Sequence, residues 1–429
     1  MRLERRQAGT DVSGLVSEIR TLVPQAPSVS AAVAAIVADV AARGDEAVIE
    51  YTERFDTGGA TAPPLRVSAQ ELADALAALD PAVRAGLEVA IANVAAVGWG
   101  GARKDREVVL AQGHRVVLHE LPVARAAVYV PGGSAPYPST VVMGVVTARG
   151  AGVDEVLVCT PPPGDQVTLA ACALAGVDEV YRVGGVQAIA ALAYGTAQIP
   201  AVDVIVGPGN LYVQEAKRLV SDRVGIDGFA GPSDLMVVFD SEDPGAIRLI
   251  ALDLLAQAEH GRASIVVAVA ADRALLDALA ADLAALSAAR EPVGEGTCVL
   301  VQVDHLERAL ELANAYAPEH LELVGPAAEL LAPRVRTAGV LFIGWPGATA
   351  FGDYVAGSNH ILPTAGSARF ASGLRHGHFR REMAEVRINP DALAALAGAG
   401  GPIADAEGFR LHAESMRARV PTIVENSSE

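Results

Sequence analysis

"AAVYVPGG", residues 126–133, is a short apolar run that ends in a proline and two glycines. Three similar runs follow: "EVLVCTPP" (155–162), "EVYRVGG" (179–185) and "VDVIVGPG" (202–209). Ala-rich segments of helical length separate them, such as "VTLAACALAG" (167–176) and "VQAIAALAYGT" (186–196). An apolar run without alternation suits a strand covered on both faces, and a helix between two strands carries the chain back to run parallel. The pattern predicts a parallel, doubly wound α/β sheet. A second series repeats it: "DLMVVFD" (234–240), "SIVVAVA" (264–270), "CVLVQV" (298–303), "HLELV" (320–324) and "GVLFIGW" (339–345). The fold class expected is therefore α/β, with two Rossmann-like doubly wound parallel-sheet domains, one inserted in the other.

Outward from these runs the texture changes. The first 20 or so residues show no clear period and read as an N-terminal arm. "SAAVAAIVADVAARG" (30–44) spaces Val33, Ile36, Val37 and Val40 as a helix does, with Gly44 as its stop. Asp45 is placed to cap a second helix reaching about Phe55. Ser68 and Glu71 form a capping box for a helix through Leu79, and Asp80-Pro81 opens the next. "REVVLAQGHRVVLHELPV" (106–123) alternates about Gln112-Gly113 and reads as a hairpin. After about residue 380 the chain reads as a small, polar, helical C-terminal domain.

The chain has 429 residues, 51% hydrophobic and 20% charged, enough for two or three cores. Its net charge of −18 repels phosphate backbones and anionic membranes, so nucleic acid and lipid are set aside as partners. No uninterrupted apolar run reaches the ~20 residues of a membrane span. The basic N-terminus lacks the apolar stretch of a secretory signal. Cys159, Cys172 and Cys298 are far apart in apolar surroundings, reading as buried thiols of a reducing compartment.

The candidate chemistry sits in a few places. Three strand-to-turn junctions are glycine-rich: Gly132-Gly133, Gly184-Gly185 and Gly207-Pro208-Gly209-Asn210. None fits G-x-G-x-x-G, yet three in one domain suggest a ligand lying near backbone at the carboxyl ends of strands. Tyr129, Gln187 and Asn210 stand beside them. In "LLAQAEHG" (254–261), Gln257 and His260 are one helical turn apart and share a face, whereas Glu259 does not. A polar pair on an apolar helix needs a partner for both heads. "NAYAPEHLELV" (314–324) sets Glu319 beside His320, a possible proton-transfer pair, although alone it would read as a surface pair at a helix start. "FGDYVAGSNHILPT" (351–364) places Asp353 and His360 in a loop, and "EGFRLHAESMRAR" (407–419) places Glu407 and His412 on a helix. Gln257, His260, Asp353 and His412 are together a donor set suited to Zn²⁺, although spacing alone does not bring them together. "RHGHFRR" (375–381) reads as a solvated basic loop.

"YVPGGSAPYPSTVVM", "GGVQAIAALAYGT", "VGPGNLYVQEAKR", "GIDGFAGPSDL", "DLLAQAEHG", "NAYAPEHLEL", "GDYVAGSNHILPT" and "EGFRLHAESM" occur in the order seen in histidinol dehydrogenases. The chain resembles that family from its first helices to about residue 419. The resemblance implies a zinc site of Gln257, His260, Asp353 and His412, the last from the other subunit of a homodimer with exchanged segments. It implies His320 as general base and Glu319 as its partner in a second half-reaction. Ser233, His360 and Glu407, together with His320 and the four metal ligands, fall on substrate-binding positions. Tyr129, Gln187 and Asn210 fall on NAD-binding positions. The implied reaction oxidises L-histidinol to L-histidine through bound L-histidinal, reducing two NAD, in the last steps of histidine biosynthesis in the cytoplasm. The implied organisation is an arm over 1–21, a zinc and catalytic domain from 22–127 with 234–375, an inserted NAD domain over 128–233, and a dimerisation segment over 376–429. The sequence departs from the family pattern at "GPSDL", where a glutamate usually follows the serine, at "WPGATAFGDY", where a Pro-Glu pair is common, and at "RHGHF".

Three rival readings compete with this one. A relative acting on another small polar alcohol, such as a dihydroxypropanesulfonate, would prefer arginines around a sulfonate. A zinc hydrolase would have no use for NAD. A binding protein without turnover would not need the Glu319-His320 pair.

Overall fold

A computed structural model describes residues 1–23, 28–99, 105–132, 135–177, 179–228, 231–290 and 296–421, leaving out the side chain of residue 99. It divides into two compact units, Met1–Gly101 with Val123–Phe379 and Ala102–Pro122 with Arg380–Glu429.

The chain opens with strand β1 (Arg2–Gln7) and helix α1 (Val12–Thr21), then α2 (Ser30–Arg43), α3 (Asp45–Phe55), α4 (Ala69–Ala78) and α5 (Pro81–Trp99). The hairpin β2 (Arg106–Val109) and β3 (Arg115–Pro122) follows. The first alternating series runs β4 (Arg125–Tyr129), α6 (Pro138–Gly150), β5 (Glu155–Thr160), α7 (Gln166–Leu174), β6 (Glu179–Arg182), α8 (Gly185–Tyr194), β7 (Val204–Val206), α9 (Leu211–Val220) and β8 (Gly225–Ile226). The second runs β9 (Asp234–Phe239), α10 (Pro244–Ala258), β10 (Ile265–Ala270), α11 (Arg273–Ala288), β11 (Thr297–Gln302), α12 (Leu306–Tyr316), β12 (His320–Val324), β13 (Val340–Ile343) and α13 (Thr349–Tyr354). Strand β14 (Arg380–Arg387) and helices α14 (Pro390–Ala406) and α15 (Arg410–Arg417) come last.

In the first unit each alternating series makes one parallel sheet. The orders are β6-β5-β4-β7-β8 and β1-β11-β10-β9-β12-β13. Leaving β1 aside, both have one topology: three strands laid outward in one direction, then two on the other side of the first. Each sheet therefore reverses direction once, between β4 and β7 and between β9 and β12. The apolar runs behave as two-sided strands should. Along β9, Leu235, Val237 and Phe239 face one core and Met236 and Val238 the other, all with no exposure.

The local signals hold. Ser68 caps α4 with the reciprocal Glu71 contact, and β2 pairs antiparallel with β3 around Gly113. At α3 the cap position falls to Gly44, with Asp45 in the first turn. Other features differ from the sequence reading. The arm begins as a strand: β1 pairs in parallel with β11 from Arg2↔Thr297 to Gln7↔Gln302, and α1 buries Leu15 and Ile19 beneath the same sheet. Helices α2 to α5 pack on the five-stranded sheet, whereas residues 22–127 were expected to belong with 234–375. Val33, Val37 and Val40 of α2 share a core with Leu157 and Ile189, and Leu87, Ala90 and Val94 of α5 share one with Val128 and Val145. Helix α5 is long and apolar enough by length and composition to cross a membrane, but it carries an Arg84–Glu88 ion pair at 2.9 Å and packs along α6. The basic loop is not solvated throughout. His376 is 6% exposed, and a Cβ on Gly98 or Gly150 would stand 2.6 Å from its Nε2.

The second unit holds an antiparallel sheet, β14-β3-β2, with α14 and α15. The segment expected to be wholly helical thus starts with a strand, registered from Arg380↔Pro122 to Arg387↔Arg115. Its sequence, RREMAEVR, hides this because neither face is buried enough to impose alternation. His119 of β3 lies between Asp105 (2.7 Å) and Glu385 (2.8 Å), and these carboxylates raise its pKa above the ordinary imidazole value. Because the folded pKa is raised, the clamp's stabilisation is complete at low pH and is lost as pH rises through the raised value. An NMR titration should give His119 an elevated pKa that falls back in Glu385→Gln and in Asp105→Asn. An ordinary pKa in the unaltered protein would refute the clamp.

Candidate active site

The acid–base groups gather where the six-stranded sheet changes direction, at the amino ends of β9 and β12. His320 opens β12 opposite Leu235 of β9. Just before this pair, Asp234 and Glu319 clasp one another. The Glu319 N–H donates to Asp234 Oδ1 (2.7 Å), and the Asp234 N–H donates to Glu319 Oε2 (3.0 Å). Ser233 Oγ donates to the same Glu319 oxygen (2.5 Å) and accepts from Gln257 Nε2 (2.5 Å). A hydrogen-bonded line thus runs from the end of α10 through Ser233 to Glu319. Each of these groups is largely buried: Gln257 is 2%, Glu319 6% and His320 3% exposed.

The imidazole of His320 has a defined tautomer. Nδ1 lies 3.2 Å from the Asp234 carbonyl oxygen, which can only accept, so Nδ1 carries the proton. Nε2 is buried and has no hydrogen-bond partner among the described residues. It stands 3.7 Å from Asp353 Oδ1, an ion-pair distance too long for a hydrogen bond. Burial pulls the His320 pKa down, but the Asp353 and Glu319 carboxylates outweigh it and lift it to about 9. Burial raises Glu319, and burial beside Glu319 lifts Asp234 to about 7. Asp353 goes the other way: burial opposes its charge, but His320, His360 and His260 together hold its pKa below the ordinary carboxylate value. Of the three, His320 lies nearest the carboxylate, at 3.7 Å, and His360 bonds the Asp353 main-chain carbonyl.

His360 is fixed at both nitrogens, Nδ1 to the Asp353 carbonyl (2.9 Å) and Nε2 to Thr140 Oγ1 of α6 (3.2 Å), and burial lowers its pKa. Helix α10 ends at Ala258, so His260 lies in the turn beyond it and not on the helix itself. Its backbone N–H still reaches the Gln257 carbonyl at 3.4 Å, and Gly261 (φ +129°) then turns the chain away. Glu407 at the end of α14 and His412 of α15 are exposed and belong to the second unit.

The glycine turns meet where the five-stranded sheet reverses. Tyr129 ends β4, and its hydroxyl accepts the Gly185 N–H at 3.2 Å; burial pushes the phenol up to about 12. Gln187, 1% exposed in α8, donates to Asp56 Oδ2 (3.0 Å). Asn210 caps α9, accepting from Tyr212 and Val213 N–H. Gly133 lies outside the described residues. Gly207 has φ +119°, and a Cβ there would fall 2.0 Å from the Tyr129 carbonyl oxygen. Backbone thus meets backbone at this edge, and no side chain fits there.

Sequence reasoning missed Asp56, Thr140 and the clasp by Asp234. Asp56 and Thr140 carry no motif. Asp234 was visible only as a departure, and the structure places it behind Glu319. The second departure has a similar role: buried Glu322 accepts from Thr349 N–H (3.2 Å) and Oγ1 (2.6 Å), fixing the start of the short helix that carries Asp353.

A two-sheet α/β scaffold with glycine turns at one reversal and a buried Glu-His pair at the other is consistent with an α/β dehydrogenase. The model of the family described as histidinol dehydrogenase matches residues 22–420, and the chain belongs to that family, whose members are oxidoreductases acting on CH–OH. It is 43% identical over 406 residues to the histidinol dehydrogenase of Ruegeria pomeroyi, covering 92% of this chain and 93% of that one. It is 44% identical over 412 residues to that of Cereibacter sphaeroides, covering 93% and 94%. The crystal structure of histidinol dehydrogenase from Elizabethkingia anophelis superposes with a TM-score of 0.88 at 28% identity over 98% of both chains.

Proposed function

We propose that this chain oxidises L-histidinol to L-histidine through bound L-histidinal, as a zinc-dependent cytoplasmic homodimer that reduces two NAD. The observation that carries the reading is the buried His320, with Nδ1 committed to the Asp234 carbonyl and Nε2 without a hydrogen-bond partner among the described residues, beside a Glu319 held by Ser233 and Asp234. In the first half-reaction Nε2 takes the proton of the substrate hydroxyl. In the second, Glu319 helps to draw a proton from the water that adds to the aldehyde. Burial of both groups excludes bulk water and keeps the aldehyde in place.

Zinc would be held by the Gln257 amide oxygen, His260, Asp353 and His412. Among the described residues no three His, Cys, Asp or Glu side chains stand close enough to hold an ion. The donor chemistry still fits: Gln257 spends its amide nitrogen on Ser233, leaving the oxygen for a metal, and neighbouring histidines favour the charged form of Asp353. When bound, zinc supplies an anchor for the substrate's imidazole and amine. A cation held by Asp353 would weaken that carboxylate's upward pull on the His320 pKa. His360 and Glu407 complete the substrate contacts.

NAD, the hydride acceptor, would lie at the reversal between β4 and β7, near Tyr129, Gln187 and Asn210. The glycine-rich turns at the carboxyl ends of β6 and β7 support this. The test is NADH formation by zinc-loaded protein on limiting L-histidinol. Two NADH per histidinol are expected. One NADH with free aldehyde would overturn the role of Glu319. No NADH with histidinol but turnover of a sulfonated diol would move the substrate to the related alcohol dehydrogenases.

A further inference from the structure

The chain has only two lysines against 31 arginines, and one of them is buried in the nucleotide half. Lys217 of α9 is 1% exposed and pairs with Asp227 just after β8, Nζ to Oδ1 at 2.7 Å, the carboxylate side chain 6% exposed. Both groups also grip Gly207. The Gly207 N–H donates to Asp227 Oδ2 (2.7 Å), and Lys217 Nζ donates to the Gly207 carbonyl. One residue of backbone is thus held on its N–H side by an anion and on its carbonyl side by a cation.

Gly207 is the residue whose backbone presses against the Tyr129 carbonyl at φ +119°. Glycine is required there by space, and glycine is also the residue most free to leave that conformation. An ordinary turn needs no dry ion pair, because burying two charges costs about as much as their attraction returns. What the pair adds is geometry. A compact ammonium can reach a carbonyl and a carboxylate together in a narrow buried space, where a planar guanidinium has a fixed fork. The turn so fixed, Gly207 to Asn210, leads into the cap of α9 at the sheet reversal.

We propose that Lys217 and Asp227 are positioning residues for the dinucleotide-binding turn, holding the Gly207 peptide where bound NAD meets main chain. The inference rests on the NAD reading above. It goes beyond that reading by giving cofactor affinity to two residues that do not touch the cofactor.

The test uses full-length zinc-loaded protein. NADH binding is measured by fluorescence titration, and kcat and both KM values by steady-state kinetics. Lys217→Met is expected to raise the NADH Kd and the NAD KM about tenfold, the loss of a charged hydrogen bond. kcat at saturating NAD and the histidinol KM should stay close to those of the unaltered protein. Lys217→Arg should retain the charge and recover only part of the affinity. If Lys217→Met fails to fold, Lys217→Met/Asp227→Leu removes both charges together and should fold while binding NADH weakly. Unaltered NADH affinity in either folded variant overturns the proposal, as does a proportional fall in active protein with both KM values unchanged. Absence of NADH binding by the unaltered protein would remove the NAD reading itself, and this inference with it.

Discussion

Replacing His320 with Asn is expected to lower the rate of both half-reactions by about 10²–10⁴-fold, the usual contribution of a positioned general base. The structure makes the expectation specific. His320 Nδ1 is tied to a backbone carbonyl, so Nε2 is the one ring atom that can take a substrate proton. Asn can still donate toward the Asp234 carbonyl but supplies no base. Glu319→Gln asks a different question. A glutamine oxygen can accept from Ser233 and from the Asp234 N–H as the carboxylate does, so the clasp should persist while the capacity to take a proton is lost. Its larger loss should therefore fall on histidinal oxidation. Single-turnover rates with histidinol and with histidinal separate the two. A His320→Asn variant that keeps either half-reaction near its original rate would show that another group is the base.

Metal removal is the second large effect. Stripping the protein with a strong chelator is expected to abolish turnover, and zinc to restore it. Asp353→Asn should weaken zinc binding, because the carboxylate that three histidines now stabilise is the one anionic donor in the set. A chelated protein with full activity would remove the metal from the reading altogether. The same set makes a claim about assembly, since the fourth donor, His412, is taken to come from a second subunit. Mixing His412→Ala with His320→Ala chains should recover about a quarter of the unaltered activity, because half the dimers are mixed and each keeps one intact site of two. Subunit exchange without recovered activity would place His412 in its own chain's site or outside the site.

Much of this was legible in the residues. Apolar runs such as 126–130 and 235–239, short and followed by turn residues, read as strands covered on both faces, because a half-exposed strand alternates and these do not. The capping box at Ser68 and the hairpin about Gly113 were equally readable, being local chemistry within a few residues. Ordered motifs were enough to place the chain in its family. What the sequence could not show is which strands become neighbours. Periodicity reports the face a side chain occupies and carries no information about a partner strand 85 residues away, as Glu319 is from Asp234. Only the tertiary structure put Glu319 and His320 at the amino end of β12 beside Asp234 at the amino end of β9. It alone tied His320 Nδ1 to a carbonyl, moved α2 to α5 onto the other sheet, and turned the N-terminal arm into an edge strand. Those outcomes depend on strand pairing and shared cores, contacts whose energy exists only once distant segments have met.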